Sequence, residues 1–142
     1  MTLPAGMGAV KAFSVDPYDP LVAVLNRDLA RTGAQAGADP AAKGPTVVVA
    51  GQTWEQLPLT VNVHAQATEY NISYVVKYEL LGADGKAIVP MQEARLQRDF
   101  QYDAAHALGS AQEQDTIRDE MRRDMAATII RRIDIVLRNY RP

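Results

Sequence analysis

Residues 68 to 81 carry the clearest two-residue alternation in the chain. Tyr70, Ile72, Tyr74, Val76, Tyr78 and Leu80 fall on one parity, and Glu69, Asn71, Ser73, Val75, Lys77 and Glu79 on the other. Successive side chains of a strand point to opposite faces, so this segment is a strand with one core face and one mostly polar face. A sheet built on it has to be covered on the tyrosine side and can stay open on the other. The tyrosine row therefore reads as core rather than as a platform for stacking bases.

The flanking segments supply the rest of the sheet. Gly82-Ala83-Asp84-Gly85 is a strong turn, and Ala87 to Tyr102 returns as a strand, with Pro90 near its start, where a missing donor is tolerable. Upstream, Thr46 to Gln52 is a β-branched, buried strand that extends toward Val63, with Pro58 demoting the later part to an edge or a bulge. Asn62 to Gln66 closes a hairpin. Three long strands then form an antiparallel meander. A further short strand is expected at Val10 to Val15.

Two segments carry helical spacing. Asp19 is a good N-cap and Pro20 suits the first helical position; Leu21, Val22, Val24, Leu25 and Leu29 follow, and Gly33 offers a left-handed stop. Residues 34 to 45, small and rich in Gly and Pro, read as a loop. Residues 103 to 111, which include Gly109, read as a linker. From Gln112 to about Asn139 runs a long helix whose stripe is Ile117, Met121, Met125, Ile129, Ile133 and Leu137, four apart, widened by Ile130 and Val136. Glu113, Asp115, Asp119, Glu120 and Asp124 lie in its first half and Arg131, Arg132 and Arg138 in its second, the polarity that a helix dipole favours.

The order strand, helix, three strands, helix predicts an α+β two-layer sandwich: a four-stranded mixed sheet with both helices on the tyrosine face, in a single domain over residues 1–142. If the first two strands are parallel, their crossover is right-handed.

Composition narrows function mostly by exclusion. A formal net charge of −2 gives no global attraction to nucleic acid, and with no cysteine there is no disulfide, thiol nucleophile or cysteine-held metal. The two histidines, His64 and His106, lack a carboxylate or second histidine at ligand spacing, so they read as surface residues. No phosphate loop, G-x-S-x-G or H-E-x-x-H occurs. Neither an enzyme nor a cofactor site is therefore expected. Arg118, Arg122 and Arg123 sit among acids and read as intrahelical pairs, such as Asp119 with Arg122 or Glu120 with Arg123, rather than as a phosphate-binding stripe. Lys77 and Arg95 fall on the polar sheet face; alternation puts Arg98 on the other face unless a bulge intervenes. These three cations are either ordinary solvated charge or part of an anion-recognition patch on the uncovered face.

Several short motifs, in order, resemble those of the LptE family of lipopolysaccharide-assembly lipoproteins. They are Leu3-Pro4 before the first strand, and Asp16-Pro17, Leu21 and Gly33 around the first helix. Ala67-Thr68-Glu69-Tyr70 is similar to the family's A-E-Y start of its central strand, and Arg98-x-Phe100-x-Tyr102-Asp103 to its strand-end R-x-F. Ala107-Leu108-Gly109, Glu113-x-Asp115, Ile117, Glu120-Met121 and Ile130-Arg131-Arg132-Ile133 match along the last helix. The resemblance implies a non-enzymatic protein of the outer membrane, facing the periplasm. It would dock inside and plug the β-barrel LptD, assist its assembly and contact lipopolysaccharide; the cations read above from the sheet pattern, Lys77, Arg95 and Arg98, are the expected contacts. A lipid-anchored accessory protein of another envelope transport system is the alternative. Family members begin with a signal peptide and a lipidated cysteine; neither is in this chain, and Met1 is expected to follow the anchor region. Where some members have a basic residue in the hairpin, this chain reads Asn62-Val63-His64-Ala65.

Overall fold

A computed structural model describes residues 10–16, 18–31, 44–64 and 67–139. Strand β1 is Lys11–Ser14, β2 is Thr46–Val61, β3 is Ala67–Leu81 and β4 is Ala87–Gln101, in the sheet order β1-β2-β3-β4. β1 runs parallel to β2, and the other two pairings are antiparallel, so the sheet is mixed. Ile72, Tyr74, Val76, Tyr78 and Leu80 of β3 are buried, and Tyr70 is half-buried edge-to-face on Tyr102. The expected core face of the central strand is thus the observed one. The Gly82–Gly85 turn closes with Gly85 N–H donating to Gly82 O at 2.9 Å, and Gly85 takes the positive φ of 82° that a residue without Cβ adopts freely.

Helix α1 is Pro20–Arg31. Its first turn is capped by Asp19, whose Oδ1 accepts from Leu21 N–H at 2.9 Å. Leu21, Leu25 and Leu29 face the core fully buried. From the flank of the same helix, Asn26 reaches the outer edge of β1: Oδ1 accepts from Ala12 N–H at 2.9 Å and Nδ2 donates to Ala12 O at 3.3 Å. The amide thus stands in for a neighbouring strand. Gly33 and nearly all of the loop expected at 34–45 lie outside the described residues, as do Ala65 and Gln66 of the hairpin loop.

Helix α2 is Ala107–Asn139, preceded by a 3-10 turn at Ala104–His106. The linker expected at 103–111 is therefore largely helical, and the long helix starts five residues before Gln112. The cause is local. Asp103 caps the turn, accepting from Ala105 N–H at 2.9 Å, and its own N–H donates to Ser110 Oγ at 3.1 Å. Alanines around Gly109 carry the helix through it. Nothing stands within 4 Å of where a Gly109 Cβ would lie. Gly109→Ala is accordingly expected to stabilise the fold by about 0.4–1 kcal/mol in urea denaturation; a destabilised variant would show that this first turn is not helical in solution.

Met121, Met125, Ile129, Ile133 and Leu137 are buried, as are Ala126 and Ile130, while Ile117 is half-buried. A stripe stepping by four drifts around a 3.6-residue helix by about 40° per step. The helix uses that drift by crossing the sheet obliquely. Gln114 and Arg118 meet Gln56 on β2, Asp124 meets Arg98 on β4, and Arg132 meets the carbonyl of Glu93 further along β4. Both helices pack on the tyrosine face, as expected, and among the described residues the opposite face has no helix over it.

Candidate functional site

The register places the three expected contact residues. Lys77 lies between Gly51 and Glu93, and Arg95 pairs with Val75 one row away. Directly paired residues share a face, so Lys77 and Arg95 are neighbours on the uncovered side. Arg98 pairs with Ile72 and so belongs to the helix side. Its Nη2 lies 2.7 Å from Asp124 Oδ2 and its Nη1 donates to Gln97 O at 2.9 Å. The separation predicted by alternation holds, and the three cations therefore do not make one patch on the uncovered face. On that face Glu79 and Glu93 flank Lys77, with Glu55, Asp99 and Glu69 further along the sheet, and Arg95 Nη2 is 3.7 Å from Glu93 Oε1. The Arg98–Asp124 pair is about half exposed on both sides. Removing it by Arg98→Ser is expected to change unfolding free energy by less than about 1 kcal/mol, the usual range for such pairs; a loss above about 2 kcal/mol in urea melts would contradict its surface character.

A second cluster lies at the seam between β2 and α2. Trp54 pairs with Tyr74 and stacks on it, ring centroids 3.9 Å apart and planes 9° from parallel. The guanidinium carbons of Arg118 and Arg122 stand 5.2 and 5.3 Å from the Trp54 ring centroid, within cation–π range. Arg122 is also held by Asp119 at 3.0 Å, the intrahelical pair expected from the sequence. Arg118 instead leaves the helix and donates to Gln56 Oε1 at 3.3 Å. Beneath the stack, Tyr74 Oη donates to Gln52 Oε1, and Gln52 Nε2 donates to Asp19 Oδ2. The α1 cap and the central tyrosine are thus ends of one hydrogen-bonded chain. Burial, and then the nearby Asp19 carboxylate, push the Tyr74 phenol well above its ordinary range, with Arg122 acting in the opposite sense. The phenol therefore stays a donor at physiological pH. Beside this chain lies an open cleft of about 640 Å³, lined by Ser14, Asp16, Asp19, Gly51, Trp54 and Arg122 among others.

Trp54 is the functional-looking residue that sequence reasoning missed. Its signal was available only in part: it is the single tryptophan of the chain, on a segment already read as a strand.

Neither histidine belongs to a metal-ligating group, and among the described residues no three His, Cys, Asp or Glu side chains converge. Contrary to expectation, the histidines are not both without a nearby carboxylate. His106 does have a carboxylate partner: its Nδ1 lies 2.8 Å from Asp103 Oδ2, three residues back. The 3-10 turn brings together positions that a linker would have left apart. First the His106 hydrogen bond, then that of the Ala105 amide, hold the Asp103 carboxyl below its ordinary range. A depressed carboxyl pKa favours the fold above the unfolded value and is lost as pH falls through the folded one. Both side chains are well exposed, so the effect on stability is slight. In a carboxyl NMR titration Asp103 should titrate below free aspartate, and His106→Ala should raise its midpoint; no response to that substitution would rule out the pairing.

The model of the LptE family, described as lipopolysaccharide-assembly, matches residues 10–133. Among curated proteins there is no match. The crystal structure of the rare lipoprotein B from Shewanella oneidensis is similar at a TM-score of 0.78 and 21% identity, covering 93% of this chain and 98% of that one. The solution structure of an uncharacterized lipoprotein B from Nitrosomonas europaea is similar at a TM-score of 0.80 and 20% identity, covering 94% of this chain and 84% of that one. A minor lipoprotein from Acinetobacter baumannii gives 0.74 and 20%, over 93% and 94%. At these identities the solved structures establish the shared fold, and the match over residues 10–133 establishes the family: this chain belongs to the LptE lipopolysaccharide-assembly family.

Proposed function

We propose that the protein is a non-enzymatic, periplasm-facing lipoprotein component of outer-membrane lipopolysaccharide assembly, which docks inside and plugs the LptD β-barrel, assists its assembly and contacts lipopolysaccharide. The observation that carries this reading is the family match, which runs through all four strands and most of α2. A compact domain of this kind suits a plug, since barrels of the largest class enclose a lumen wide enough to need one. Co-expression with the outer-membrane barrel and affinity purification tests the reading. Stoichiometric recovery of the barrel is expected. A chain that associates with no outer-membrane barrel would sink the idea, and stable recovery of a different envelope transporter would favour the accessory role instead.

Lipid contact is proposed at Lys77, Arg95 and Arg98, now as two places rather than one. Lys77 and Arg95 act from the uncovered face, and Arg98 from the rim beside α2. Because acids crowd the first pair and Asp124 holds the third, the contribution of each is modest and salt-sensitive. Replacing all three with Ser should weaken binding of purified lipopolysaccharide and flatten its salt dependence. Unchanged binding would show that the contacts lie elsewhere. Comparing Lys77→Ser/Arg95→Ser with Arg98→Ser alone would say which place matters.

A further inference from the structure

We infer that the outer edge of β2 at Thr53–Leu57 is a strand-addition site: it takes an extended segment of a partner protein as an extra strand, with a basic side chain opposite Glu55 and apolar ones around Leu57. An unpaired strand edge is a row of free backbone donors and acceptors, and folded proteins generally blunt it. This sheet blunts its other edges. The outer side of β1 is met by the Asn26 amide at both the N–H and the carbonyl of Ala12. The outer strand β4 carries Glu93, Arg95, Arg98 and Asp99, and arginine side chains cover two of its carbonyls, Arg132 that of Glu93 and Arg98 that of Gln97.

β2 is treated differently. β1 pairs only with Thr46–Val49, although β2 runs to Val61. The turn leading from β1 into α1 borders the next stretch, where Asp16 and Asp19 share a cleft with Gly51, Gln52 and the Trp54 side chain. Beyond it, Thr53–Leu57 has Glu55 as its one charge, and among the described residues no side chain bonds to its backbone on the outer side. Five residues match the ordinary length of a strand. Pro58 and the bulged Leu59 then interrupt the ladder and set its end. Leu57, Leu59 and Val61 are each more than half exposed there.

The segment is also held ready. Trp54 is clamped between Tyr74 and two arginines, and Gln56 accepts from both Gln114 and Arg118 of α2. A template already rigid loses little entropy on pairing. Backbone bonds along such an edge give affinity, and alternate side chains give selectivity.

The occupant is best supplied by another protein. Val10 and Gly44, each at a break in the described chain, lie at the Thr46 end of β2, away from Leu57, and the break in the hairpin beyond Val61 spans only two residues. A second copy pairing antiparallel over Thr53–Leu57 would centre on Glu55 and set two carboxylates directly opposite, which is unfavourable. A partner segment with Lys or Arg at that place turns the same contact favourable.

The inference rests on the reading that the chain works in an assembly complex, and the test uses that complex with the purified barrel. Amide hydrogen exchange at residues 53–57 should slow by at least about tenfold on complex formation, with the β4 edge little changed. A photo-crosslinking residue at Thr53 or Leu57 should capture the barrel protein, and one at Gln97 should not. Glu55→Lys should weaken the complex by about tenfold through like-charge contact, while leaving the isolated chain's urea melt unchanged. Unaltered exchange at 53–57, or crosslinks joining two copies of this chain, would overturn the inference while leaving the functional reading intact. Failure to form any complex would sink both.

Discussion

Tyr74→Ala is expected to cost about 3–5 kcal/mol of unfolding free energy, the range for deleting a fully buried aromatic side chain. Tyr74 has no exposed surface and sits mid-way along the central strand. Its ring carries the Trp54 stack, and its hydroxyl donates to Gln52. Truncation therefore removes apolar contact, the stacking geometry and one hydrogen bond together. Tyr74→Phe separates these contributions. It keeps the ring and leaves Gln52 Oε1 without its donor, at a cost of about 1–2 kcal/mol. Urea denaturation of both variants is the measurement. A loss under about 1 kcal/mol for the alanine variant would mean that the tyrosine face is not the core in solution.

The second large effect belongs to Asp19. Asp19→Ala should destabilise by about 1.5–2.5 kcal/mol, from loss of a helix cap worth about 1 kcal/mol and of a hydrogen bond to the exposed Gln52 amide worth about 0.5–1.5 kcal/mol. The residue is buried, and its two oxygens do different jobs: Oδ1 accepts from Leu21 N–H and Oδ2 accepts from Gln52. Asp19→Asn discriminates between them. Asparagine caps helices well, and its amide can meet Gln52 if the Gln52 side chain turns over, so most of the loss should be recovered. If Asn proves as costly as Ala, the charge of Asp19 rather than its hydrogen bonds is what the seam requires.

Much of this architecture was legible in the sequence because it rests on local patterns. The parity of Tyr70 to Leu80, the Asp19-Pro20 start of α1 and the four-residue stripe of α2 each follow from a repeat that backbone geometry imposes. What stayed hidden depends on slips and on distant partners. The extra residue at Ala50 shifts the register of β2, so that Val47 and Val49 share a face with Gln52, Trp54 and Gln56. Carrying the parity of Val47 and Val49 through would set Trp54 on the uncovered side. The start of α2 was obscured because Gly109 looks like a linker residue, while the Asp103 cap that begins the turn is one carboxylate among many. For Arg98 the alternation was correct, but only the register with Ile72 and the reach of α2 reveal Asp124 as its partner. Asn26 gave no sequence signal at all, since its role is to complete a strand that lies fourteen residues earlier in the chain.

The cluster around Trp54 has an optical consequence. The chain contains one indole, and it lies flat on a phenol beneath two guanidinium groups carried by α2. Its near-ultraviolet ellipticity and its emission wavelength therefore report on whether the long helix is seated on the sheet. Because the same side chain belongs to Thr53–Leu57, those signals also sense a strand arriving at the edge. No label needs to be added to follow folding and assembly in one experiment.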